Sequence, residues 1–167
     1  MSGAVDLTAA LLDRAARLLE RLRAQRLMLA TAESCTGGLV AGGLTAIAGS
    51  SDVVERGFVT YSNAAKAELL GVPAPLIAKH GAVSAQVARA MAEGALSRAP
   101  VDVTIAVTGI AGPGGASPGK PVGLVYLAAA RKARETLVER HQFPGDRTAV
   151  RLATVEAAFG LIERQLD

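Results

Sequence analysis

Leu27-Met28-Leu29-Ala30-Thr31-Ala32 is an apolar run that stops at Glu33-Ser34-Cys35-Thr36-Gly37-Gly38, and a second apolar stretch continues to about Ala48. A short run without polar alternation suits a strand buried on both faces. The glycine-bearing polar segment predicts a turn, and the stretch beyond it a helix. Strand, polar turn and helix form the unit from which parallel α/β sheets are built, and the ends of such strands are where these folds place chemistry.

On the N-terminal side, Leu11, Leu12, Ala15, Leu18, Leu19 and Leu22 share one helical face, with arginines largely on the other. An amphipathic helix is expected over about 7–25, capped by Thr8 or Asp6. On the C-terminal side, Gly57 to Tyr61 reads as a strand, and Ser62 caps a short helix through Leu70, stopped by Gly71 and Pro73. Pro75 to His80 is a turn of helix. Ser84 caps a longer one to about Ala99. Val101 to Val107 is a strand that empties into Thr108-Gly109-Ile110-Ala111-Gly112-Pro113-Gly114-Gly115, expected to be loop throughout. Val122 to Ala130 and Thr136 to Phe143 are strands joined by a charged turn, hence an antiparallel pair, and Asp146 caps a last helix to about Gln165. The expected fold is α/β: a single-domain layered sandwich over 1–167, with a mixed, mainly parallel sheet and helices packed on it.

The 167 residues carry 18 basic and 15 acidic side chains with no basic run, a weak case for nucleic acid or a membrane surface. With two Tyr, three Phe and no Trp, base-stacking platforms are scarce as well. One cysteine and two distant histidines make neither a disulfide nor a zinc site, so no metal is expected. The charge-free stretch from Ser34 to Ser51 holds too many glycines and hydroxyls to span a bilayer, and the arginine-rich N-terminus is no secretory signal. A cytoplasmic protein is expected.

Two chemical motifs fail on inspection. Gly114 to Lys120 matches the first seven positions of a phosphate-binding loop, but Pro121 stands where Ser or Thr should open a helix. Ser117-Pro118-Gly119-Lys120 spells S-x-x-K, but Pro-Gly forbids the helical turn that would pair Ser with Lys. Ser34, Tyr61 and Lys66 form the stronger set. Ser34 follows a strand and precedes a helix, so the amides of Cys35, Thr36, Gly37 and Gly38 could face an anion or oxyanion. Lys66 lies in the helix after Tyr61, near enough to share its cleft. Without a usable histidine, an activated serine needs another base, and a lysine kept neutral by burial can serve. Taken singly, each has a plainer role: Ser34 a cap, Tyr61 a core aromatic, Lys66 a solvated helix residue. Cys35 is an alternative nucleophile. Arg147, beside the Asp146 cap, could bind phosphate or pair with a surface acid.

The same blocks carry a family resemblance. Ala32-Glu33-Ser34-Cys35-Thr36-Gly37-Gly38, Tyr61-Ser62-Asn63-Ala64-Ala65-Lys66, His80-Gly81-Ala82-Val83-Ser84, Thr108 to Gly115, Lys120-Pro121-Val122-Gly123 and Gly145-Asp146-Arg147 occur in the order found in the CinA C-terminal domain family, which the chain resembles from about Leu27 to Leu161. The resemblance implies a nicotinamide-nucleotide amidohydrolase of NAD salvage, which turns nicotinamide mononucleotide into nicotinic acid mononucleotide and ammonia. It implies a Ser/Lys dyad working without metal or cofactor. The family's serine falls on Ser34, its lysine on Lys66 and its tyrosine on Tyr61. Lys66 would take the Ser34 proton directly or through the Tyr61 hydroxyl. The Gly109 to Gly115 loop, Gly112 included, would help hold the oxyanion. Thr108 would be a loop contact, and Arg147 would bind the phosphate. Pro144 replaces a serine common in the family before Gly-Asp-Arg. The N-terminal domain of some relatives has no counterpart in this sequence, so its pyrophosphatase activity is not expected. Gly/Ala-rich faces and family habit imply a homo-oligomer. The alternatives are a catalytically silent nucleotide- or partner-binding module, hydrolysis by Cys35, or a different amide substrate.

Overall fold

The computed structural model describes residues 5–167. The first four residues of the expected N-terminal segment lie outside them. Helix α1 (Ala9–Ala24) is capped by Thr8, whose hydroxyl accepts from Leu11 N at 3.1 Å, and buries Leu11, Ala15, Leu18, Leu19 and Leu22. The apolar run becomes β1 (Leu29–Glu33), buried at every position as its unbroken pattern requires. After α2 (Leu39–Thr45) the chain forms β2 (Val54–Val59), α3 (Asn63–Leu70), α4 (Ala74–His80) and α5 (Ala85–Arg98). Then come β3 (Val103–Gly109), the antiparallel hairpin β4 (Leu124–Arg131) and β5 (Leu137–Gln142), and the long α6 (Arg147–Leu166).

The five strands lie in the order β2-β1-β3-β4-β5. Strand β1 is parallel to both neighbours, β4 runs against β3, and β5 runs against β4, so every strand but β4 points the same way. Side chains alternate between two helical layers. Leu29, Ile105 and Val107 pack with α1, α2 and α6, whereas Ala32, Ala106 and Ala128 pack against α5. The result is a mixed, mainly parallel sheet between two helical layers. The small residues on the α5 side let that helix lie close to the sheet. Gly94 of α5 is the tightest point: a Cβ there would lie 1.9 Å from the carbonyl oxygen of Leu70, so α3 docks on α5 only because Gly94 has no side chain.

Several boundaries differ from those read in the sequence, and strands β3 and β4 each begin two residues later than expected. Thr108 and Gly109, expected in the loop, are strand, paired with Tyr126 and Val125. The loop-like composition at Gly109 answers a packing demand, because a Cβ would sit 2.7 Å from Val125 Cγ2 and 3.2 Å from Cys35 Sγ. Strand β2 begins at Val54, where its ladder with β1 starts, and ends two residues before Tyr61. Helix α2 stops at Thr45, short of Ala48.

Strand β1 lies between β2, reached through α2 on one face, and β3, reached through α3, α4 and α5 on the other. Connections therefore leave the carboxyl ends of β1 and β3 in opposite directions, opening the crevice in which open α/β sheets bind ligands.

Candidate active site

Strand parity aims the first residue of the site. Ala32 faces the α5 layer, Glu33 the α2 layer, and Ser34 turns back toward α3. The Ser34 backbone is still tied to the sheet, its N–H donating to Val107 O at 3.0 Å. Lys66 meets it from α3. That helix is fixed at one end by the Ser62 hydroxyl, which accepts from Ala65 N at 3.0 Å, and at the other by Gly71 in the left-handed region. The Lys66 side chain is 1% exposed, and its Nζ lies 2.9 Å from Ser34 Oγ, 2.8 Å from Thr60 O and 3.4 Å from Tyr61 O.

None of these partners is a carboxylate. Burial without a counter-charge pushes the lysine below its usual range, opposed only in part by Cys35. A neutral amine has two N–H donors and one lone pair. The two carbonyls take the donors, leaving the lone pair for the Ser34 hydroxyl. In its neutral form, Lys66 is therefore placed to accept from the Ser34 hydroxyl directly, at 2.9 Å.

Glu33, read only as part of the polar turn, turns out to hold that turn in place. It is fully buried and accepts from Thr36 Oγ1 at 2.6 Å, Val40 N at 2.8 Å and Ala41 N at 3.1 Å, with Thr31 Oγ1 at 3.4 Å. A carboxylate at the start of α2 satisfies its free amides and its dipole from within the protein. Glu33 thus takes the amides of Val40 and Ala41 and bonds none of the amides of Cys35, Thr36, Gly37 or Gly38. Thr36 bonds Glu33, Gly37 N donates to Ser34 O at 2.9 Å, and Gly37 and Gly38 supply the left-handed backbone of the turn; none of the three lines the cavity. Arg151 braces the same turn from α6, with Nε 3.2 Å from Cys35 O and Nη2 3.0 Å from Thr36 O. Its one sequence signal is a spacing of one helical turn from Arg147.

Cys35 lines the cavity beside Ser34, but burial pushes its thiol up to about 12. At neutral pH that leaves roughly one thiolate in 10⁵ molecules, which argues against the cysteine nucleophile.

The cavity, about 280 Å³, is closed on the far side by β3 and the loop after it, including Thr108, Gly109 and Gly112. Thr108 Oγ1 donates to Ala82 O at 2.8 Å and so fixes the α4–α5 connection at the rim. Asn63, which the sequence reading passed over, also lines the cavity from the first position of α3. Arg147 spans the mouth: Nη1 donates to Gly112 O at 2.8 Å and Nη2 to the Tyr61 hydroxyl at 2.9 Å. Asp146 is occupied in capping α6, accepting from Ala149 N at 2.9 Å.

Two expectations for Tyr61 change. It is 60% exposed rather than a core aromatic, and its hydroxyl serves Arg147 and makes no contact with Lys66, so it relays no proton between Lys66 and Ser34 in this arrangement. Lys120, from the rejected phosphate-loop match, donates to His80 O at 2.5 Å, and Ser117 pairs with Lys120 across a tight turn. Among the described residues no three His, Cys, Asp or Glu side chains gather as a metal site would require, and no helix is long and apolar enough to cross a membrane.

Known proteins share both the sequence and the fold. A profile of the CinA C-terminal domain matches residues 12–166. A CinA-like protein of Citrifermentans bemidjiense is 55% identical over 150 residues, covering 90% of this chain and 36% of the relative. One from Akkermansia muciniphila is 51% identical over 143 residues, 85% of this chain and 34% of the relative. The chain thus spans about a third of the length of these curated relatives. The crystal structure of the competence/damage inducible protein CihA from Agrobacterium tumefaciens superposes with a TM-score of 0.93 at 47% identity, covering 98% of both chains. A competence-damaged protein (CinA) superfamily protein from Escherichia coli gives 0.89 at 36% identity over 98% of this chain and 95% of that one. With Ser34, Tyr61 and Lys66 inside the matched region and its fold reproduced in solved relatives, the chain belongs to the CinA C-terminal domain family.

Proposed function

We propose that this protein is a Ser/Lys amidohydrolase that converts nicotinamide mononucleotide and water to nicotinic acid mononucleotide and ammonia. One observation carries the reading: a buried lysine without a carboxylate partner has its Nζ 2.9 Å from the hydroxyl of a serine that lines a cavity. A lysine kept neutral in this way is a base, and a serine beside it is a nucleophile.

In the proposed reaction Lys66 takes the Ser34 proton while Oγ attacks the carboxamide carbon. Ala111 and Gly112 line the cavity, and their N–H groups have no protein acceptor among the described residues, so they are free to stabilise the oxyanion. The protonated lysine gives its proton to the departing amine, releasing ammonia and leaving a Ser34 ester. Water then attacks that ester with Lys66 again as base, releasing the carboxylate. Arg147, at the mouth, suits the substrate phosphate, and the Tyr61 hydroxyl orients its guanidinium. The cationic pyridinium ring adds to the pressure against a charged Lys66.

Ammonia release from nicotinamide mononucleotide, measured with a chelator present, tests this reading. Wild-type protein should turn over, and Ser34→Ala and Lys66→Ala should each lose about three orders of magnitude or more. A wild-type protein that binds the nucleotide without turnover would refute the proposal and favour the silent binding module.

A further inference from the structure

The same cavity has a property that amide hydrolysis alone does not require. The neighbours of its buried amine are two carbonyls and a hydroxyl, all neutral, and no Asp, Glu or His lines the cavity among the described residues. The groups facing Lys66 are Cys35 and Tyr61 from the ends of β1 and β2, with Arg147 across the cavity from α6. Glu33 is turned away into the start of α2, while Glu68 of α3 and Arg89, Glu93 and Arg98 of α5 stand exposed. No protein carboxylate therefore supplies a counter-charge to Lys66 within the cavity.

We propose that the Ser34–Lys66 cavity is a receptor for carboxylates, in particular the aryl carboxylate nucleotide, and that occupying it draws one proton from solution onto Lys66. A carboxylate seated where the carboxamide reacts places its oxygens against Ser34 Oγ and Lys66 Nζ. The neutral amine gains a proton, and the ligand supplies the charge that the protein lacks. Buried ion pairs form when both charges arrive together, and a lone ammonium there is disfavoured. A carboxamide in the same place offers no negative charge to offset the cationic ring that both nucleotides share, so the amide binds without proton uptake. The acid product then competes with the amide substrate more strongly as pH falls, which makes the site a proton-linked brake on its own turnover. The identity of the physiological ligand rests on the amidohydrolase reading; the receptor chemistry does not.

Calorimetric titration tests the proposal in two buffers that differ in ionisation enthalpy, from about pH 7 to about pH 9. Nicotinic acid mononucleotide is titrated into wild-type protein and into Ser34→Ala. Nicotinamide mononucleotide, which carries the same phosphate, is titrated into Ser34→Ala as the control. The expected result is an uptake approaching one proton per acid nucleotide, none for the amide, and an affinity for the acid that weakens by up to about tenfold per pH unit. Lys66→Met should abolish the uptake, and if that variant does not fold, the wild-type buffer series decides alone. Binding of the acid with no proton uptake, as Arg147 by itself would give, overturns the proposal. Benzoate, titrated in parallel, separates the two readings. Uptake with benzoate in a protein that never hydrolyses the amide nucleotide supports the receptor and sinks the hydrolase; turnover without uptake does the reverse.

Discussion

Replacing Gly94 by alanine tests whether the contact between α3 and α5 sets the dyad. The new Cβ would lie 1.9 Å from Leu70 O and 3.0 Å from Leu70 C, both backbone atoms that no rotamer change can move. Bringing that Cβ even to the edge of contact requires the helices to part by about 1 Å, an overpacking that costs about 1–3 kcal/mol. For a chain of this length the melting temperature should fall by about 2–4 °C per kcal/mol. Lys66 lies one helical turn before Leu70, so the same movement lengthens its 2.9 Å contact with Ser34 beyond hydrogen-bond range. A misplacement of about 1 Å at a reacting group is enough to lower kcat about 10²-fold. Thermal unfolding by circular dichroism and ammonia release from nicotinamide mononucleotide give the two readouts. Gly42→Ala is the control: its Cβ would meet nothing within 4 Å, so it should gain about 0.5–1 kcal/mol with activity unchanged. A Gly94→Ala protein with wild-type stability and rate refutes the close-contact reasoning. Lost stability with full kcat would show instead that Lys66 is positioned by something other than this contact.

Two further substitutions address the groups around the nucleophile. Glu33→Gln turns a donor toward the start of α2, leaving the N–H of Val40 or Ala41 without its acceptor. It should cost about 1–3 kcal/mol in urea unfolding and lower kcat more than it changes KM, and an unaltered unfolding midpoint would count against the bracing role. Lys66→Met tests the neutral amine through stability. A lysine whose pKa is lowered by folding binds fewer protons in the native than in the unfolded state. Its destabilising effect is therefore absent above the usual lysine pKa and grows as pH falls toward the native value. The variant should accordingly gain more over wild type at neutral pH than in strong alkali, by denaturant unfolding at both. An equal difference at the two pH values would mean the amine is not held neutral.

The order of elements was legible because each carries its own local signal. The caps at Thr8, Ser62, Ser84 and Asp146 all accept from the amides expected of them. The proximity of Ser34 and Lys66 was legible too, since a strand end and the first turns of a following helix converge at the carboxyl edge of a parallel sheet. Glu33 was not. Its role follows from strand parity, which turns it to the opposite face from Ser34, and from a helix that starts late enough for its carboxylate to reach the free amides. Nor does the sequence show that Thr36, Gly37 and Gly38 stand outside the cavity lining: a glycine-rich turn before a helix looks the same whether it faces the cavity or turns away from it. The Tyr61–Arg147 contact joins residues 86 positions apart, with no local pattern to announce it.

Tyr61 also has an optical consequence. The chain has no tryptophan and two tyrosines, one on the rim of the cavity and the other, Tyr126, within the sheet on β4. One of the two phenols therefore sits at the mouth of the cavity, against a guanidinium that any bound anion would compete for. Ultraviolet difference spectra and tyrosine emission can follow occupancy of the cavity without a dye, a label or an introduced chromophore. A single tryptophan placed elsewhere would report unfolding as a separate colour.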